Sequence, residues 1–159
     1  MKIRSGFVSN SSSSSFIVIG DSVNWHEVKE LELFEGDLVV DGDFGKCEFG
    51  WEQEQRYDVE SKIIWCYIQA KSIDKQEWIN MLEEAIRSRN PEISNIRWEL
   101  CVEWEERMEG GSEYADAYID HQSSVSGGGG NAEMFDSMDA LERFLFSGDS
   151  FIETDNDNH

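Results

Sequence analysis

At Asn90-Pro91 the hydrophobic period of the chain changes. Before it, Trp78, Met81, Leu82, Ala85 and Ile86 recur at i, i+3, i+4, i+7 and i+8, the spacing of a helix with one buried face. After it, Ile96, Trp98, Leu100, Val102 and Trp104 alternate with Arg97, Glu99, Cys101, Glu103 and Glu105. That is the spacing of a strand with one face in a core and the other in water. A chain carrying both periods must pack helices and sheet around shared apolar surface.

The remaining segments extend this reading. Asp58 predicts the start of a helix through Val59, Ile63, Ile64, Tyr67 and Ile68, and Asp74 with Glu77 predicts a capping-box start for the next. Asp41-Gly42-Asp43 predicts a hairpin between Leu38–Val40 and Lys46–Trp51. Gly110-Gly111 should turn the long strand so that Tyr114–Ile119 returns antiparallel. Ser137 or Asp136 caps a short helix carrying Met138, Leu141, Phe144 and Leu145, and Phe151-Ile152 forms a last strand. The expected fold is α+β, an antiparallel sheet with two to three helices packed on one face. The length of 159 residues fits a single domain spanning the chain, with 155–159 as an acidic tail.

Five consecutive serines, Ser11 to Ser15, lie between Phe7-Val8 and Phe16–Ile19. Apolar runs on both sides predict a loop tied down at both ends, part of the fold and not a solvated linker. The opening Arg4-x-Gly6-Phe7-Val8-Ser9-Asn10 followed by these serines and Phe16 resembles an N-terminal signature of uncharacterised bacteriophage and prophage proteins. Phe49-Gly50-Trp51, Asp120-His121-Gln122-Ser123 and Asp155 to His159 resemble later signatures of the same group. The resemblance implies a phage setting and carries no known activity.

Charge narrows the function. Asp and Glu number 34 against 13 Lys and Arg, a formal net charge of -21. From Glu99 onward only Arg107 and Arg143 are basic. Such a surface repels nucleic acid and anionic membranes and steers toward basic protein surfaces. Cys47, Cys66 and Cys101 have no metal-ligand spacing and read as reduced thiols. No apolar run has the length of a membrane span, so the expected location is the cytoplasm of a bacterial host cell.

Three constellations compete. Carboxylates at Glu99, Glu103, Glu105, Glu106, Glu109 and Asp116 line the long strand and its turn. Strand spacing sets them about 7 Å apart, near the phosphate repeat of a DNA strand. The leading expectation is therefore an acidic binding protein, an inhibitor or DNA mimic acting on a basic surface of a host protein, and not an enzyme. The alternative is a metal-assisted hydrolase, with Asp120, His121, Asp155 and Asp157 around a divalent ion; a phage structural component is a third. The serine run lacks the Gly-rich pattern of a phosphate loop and the context of a nucleophilic serine. Trp65, Trp78, Trp98 and Trp104 fall at core positions, and Phe49-Gly50-Trp51 is a candidate contact patch.

Overall fold

The computed structural model describes residues 13–21, 31–50, 52–102, 117–120, 123–125 and 130–156, with the side chains of residues 13, 14, 155 and 156 left aside. Chain order is β1 (Ser13–Val18), β2 (Asp37–Val40), β3 (Glu48–Phe49), β4 (Glu54–Arg56), α1 (Val59–Ser72), α2 (Gln76–Arg89), β5 (Asn95–Trp98) and β6 (Tyr118–Ile119). A 3-10 turn (Glu133–Asp136), α3 (Met138–Phe146) and β7 (Phe151–Asn156) complete it. The fold is α+β, as the two hydrophobic periods require.

The organising element is α1. Asp58 caps it by accepting from the Ser61 N–H at 3.0 Å. Every residue from Ser61 to Ala70 is buried, so α1 is enclosed on all sides and not amphipathic. Phe49 meets Trp65 edge to face at 5.2 Å between centroids, and Tyr67 stacks on Trp98 at 4.4 Å. Helix α2 buries Ile79, Leu82, Ala85 and Ile86 and ends at Asn90, before Pro91. Its expected capping box does not form. Asp74 takes a left-handed conformation (φ 53°) and Lys75 is the cap residue, without a side-chain bond. Ser137 caps α3 through the Ala140 N–H, and α3 buries Leu141, Phe144, Leu145 and Phe146.

The antiparallel sheet has the order β1-β7-β4, with Ile17 opposite Ile152 and Ser15 opposite Thr154. Ser13 to Ser15, expected in a loop, instead open β1. Two small sheets differ from the expected hairpins. Strand β2 pairs parallel with β5, and β3 pairs parallel with β6. After the Asp41–Phe44 turn, the chain is drawn onto the start of α1. The Lys46 N–H donates to Ser61 Oγ at 2.9 Å, and Gly45 lies so close to Glu60 that a Cβ there would sit 2.9 Å from its carbonyl carbon. That contact carries the chain away from β2, and α1 and α2 supply the crossover that a parallel partner needs. The alternation beyond Pro91 holds through Val102: Leu100 and Val102 are buried, while Arg97 and Glu99 are exposed. Ala117 then bridges Val102 in parallel sense, so the expected antiparallel return is not formed among the described residues. Gly110-Gly111 and Trp104 lie outside the described residues.

Candidate functional site

Asp120 follows β6 directly and is buried, at 3 % exposure. A carboxylate taken out of water needs donors, and the fold brings three. Ser15 Oγ donates to Oδ1 at 2.8 Å. Ser123 donates to Oδ2 twice, from its hydroxyl at 2.6 Å and its backbone N–H at 3.1 Å. Burial still pushes the Asp120 carboxyl above its ordinary range, with the Ser123 and Ser15 hydrogen bonds opposing that shift.

The donors are themselves held. The Ser15 N–H donates to Ser123 Oγ at 2.7 Å, so that hydroxyl accepts from one chain segment while donating to another. Asn131 Nδ2 donates to the carbonyls of Ser15 (2.9 Å) and Ser123 (3.2 Å). Gln69, buried on α1, donates to the Ser123 carbonyl at 3.1 Å and accepts from the Val125 N–H at 2.8 Å. The result is a polar hub joining β1, α1 and the segments after β6. It also covers the edge of β1 at Ser15, where both backbone groups end on side chains and not on an open edge.

Gly50 belongs to the same construction. Its φ is +114°, and a Cβ there would lie 2.6 Å from the Cβ of Asp120. The Asp120 N–H donates to the Phe49 carbonyl at 3.0 Å, which fixes that approach. Three segments quoted above for their resemblance therefore meet: the serine run through Ser15, Phe49-Gly50, and Asp120 with Ser123. Phe49 itself is 1 % exposed and packs in the core, so it forms no contact patch.

Chemically the hub holds the chain's own groups. Ser15 and Asp120 form a hydroxyl–carboxylate pair, and both are buried, at 2 % and 3 % exposure. His121 and Asp157 lie outside the described residues; Asp155 is in β7, opposite Ser14. Among the described residues no group of three or more His, Cys, Asp or Glu could hold a metal ion. Both Asp120 oxygens are already engaged by hydroxyls and an amide.

A second buried ionisable group is Lys62. Its ammonium donates to the carbonyls of Ser150 (3.1 Å) and Ser147 (3.5 Å), at the C-terminal end of α3, where a helix favours positive charge. Burial lowers its pKa to about 8, against the opposing pull of Asp58. One turn on, the Cys66 thiol is pushed well above its usual value by burial, which makes it inert. Cys47, Cys66 and Cys101 form no disulfide.

On the surface, Lys46, Arg56, Lys75, Arg87, Arg97 and Arg143 each lie within 4.0 Å of a carboxylate. Glu99 is one of those partners, 2.6 Å from Arg97. The other carboxylates of the expected acidic face, Glu103, Glu105, Glu106, Glu109 and Asp116, lie outside the described residues. No helix among the described residues is long and apolar enough to cross a membrane.

Compared with known protein families, curated proteins and solved structures, the chain matches none.

Proposed function

We propose that this is an acidic binding protein that engages a basic surface of another protein, in a phage or prophage setting and in competition with nucleic acid. The observation that carries it is the uncompensated charge. The formal net charge is -21, and six of the described bases already sit against carboxylates. Self-repulsion on that scale opposes compactness, and a cationic partner relieves it. Glu103, Glu105, Glu106, Glu109 and Asp116, with Glu99 partly neutralised by Arg97, form the proposed contact row.

The test is capture of host proteins from bacterial lysate on the tagged full chain at about 0.15 M and about 0.5 M salt, with heparin as polyanionic competitor. The expected result is a basic protein retained at the lower salt, released by heparin, and lost from the Glu103→Gln/Glu105→Gln/Glu106→Gln variant. A wild-type chain that retains nothing, or retention unchanged in that variant, would overturn the reading.

A further inference from the structure

A cavity of about 340 Å³ opens between the segment leading into β2 and the turn after it, within the size range of small ligand sites. Its apolar wall includes Leu31, Leu33, Phe34 and Phe44. Phe34 is 62 % exposed, a large aromatic left facing solvent. It is not loosely placed: its N–H and C=O both bond to Asp37, at 2.8 and 2.9 Å, across a tight turn.

The polar lining is of one sign: Glu32, Asp41, Asp43 and Glu60, with no base among the described lining residues. Asp41 Oδ1 accepts from the Asp43 N–H at 3.0 Å, which orients that carboxylate. A purely apolar occupant would strand these carboxylates, and a bare metal ion would make no use of the aromatic wall. A planar cation on an apolar stem uses both, since guanidinium stacks on aromatic faces and pairs with carboxylates in a fork geometry.

We propose that this cavity anchors an arginine side chain of the basic partner protein, its guanidinium between Asp41 and Asp43 and its stem against Phe34 and Phe44. The assignment rests on the binding-protein reading and names the residue type that reading recognises.

The test is an NMR titration of the isotope-labelled full chain with the blocked peptide Gly-Gly-Arg-Gly-Gly and with its citrulline counterpart, which keeps the shape and removes the charge. The arginine peptide should shift the amide signals of residues 31–34 and 41–44 saturably, and the citrulline peptide should not. Asp41→Asn/Asp43→Asn should weaken binding roughly tenfold, and Phe34→Ala should weaken it severalfold. These are surface changes, and dispersion of the same spectra verifies folding. Equal shifts from both peptides, unsaturable shifts spread over the acidic surface, or an unaffected double variant would overturn the proposal. Tighter binding of spermidine at the same residues would also overturn it, in favour of a free polyamine. The two levels separate cleanly. If Asp41→Asn/Asp43→Asn still captures the salt-sensitive partner and the peptide does not bind, the cavity is wrong and the function stands. If the wild-type chain captures nothing, the function itself fails.

Discussion

The interior and the surface of this protein treat carboxylates in opposite ways. Asp120, inside, receives three donors drawn from sites more than a hundred residues apart in sequence and from its own turn. Glu32 and Asp43, outside, line an open cavity whose described walls bring no base to them. A buried charge left unmet would cost several kcal/mol, whereas an exposed one costs little because water solvates it. Each surface carboxylate therefore costs the fold little by itself, although many together repel, whereas Asp120, the buried carboxylate among the described residues, has to be met by donors.

The sharpest way to break this contrast is at Gly50. Gly50→Ala adds a methyl 2.6 Å from Asp120 at a φ of +114°, so two penalties coincide. The expected loss is about 3 kcal/mol or more, read as a lower urea midpoint. An unchanged midpoint would mean that the hub does not constrain this approach.

Lys62 sharpens the same contrast with the opposite charge. Its folded pKa of about 8 lies below the ordinary 10.5, so between those values the unfolded chain holds a proton that the folded chain has released. Stability should therefore rise as pH goes from about 8 toward 10.5, by on the order of 3 kcal/mol. The readout is the difference in slope between wild type and Lys62→Met, which lacks the group. Parallel curves would show that Lys62 is not desolvated.

The smallest effect belongs to the surface. Raising salt from about 0.05 to about 0.5 M should stabilise the wild-type chain by about 1 kcal/mol, because it screens repulsion among exposed acids. Destabilisation by salt would mean that surface ion pairs outweigh that repulsion.

What the sequence disclosed follows the range of the interactions involved. The three helices, the Asp58 and Ser137 caps, the stop at Asn90-Pro91 and the last strand were legible because each depends on residues within a turn or two. The parallel pairs were not. The partner of β2 is decided by contacts such as Lys46 with Ser61, which draw the chain away after the turn and which no local spacing encodes. Burial of Lys62 and Gln69 was hidden as well, since both interrupt an apolar period and read as solvent positions. Asp120 stood out in the sequence as a metal-ligand candidate, whereas its described partners are serines, one of them 105 residues away. No spacing along the chain marked the serine run, Phe49-Gly50 and Asp120–Ser123 as parts of one hub. Nothing local marked Asn131 or Gln69 as members.

The most direct test of the account sets Asp120→Ala beside Glu103→Gln/Glu105→Gln/Glu106→Gln in urea denaturation at neutral pH. Removing the Asp120 carboxylate strands the buried hydroxyls of Ser15 and Ser123, while the Ser123 N–H keeps the Asp120 backbone carbonyl at 3.0 Å, and the expected loss is about 2–4 kcal/mol. Neutralising Glu103, Glu105 and Glu106 lowers a net charge of -21 and should leave the midpoint unchanged or raise it. A stable Asp120→Ala variant, or a triple glutamate variant that loses as much as the hub variant, would contradict the account.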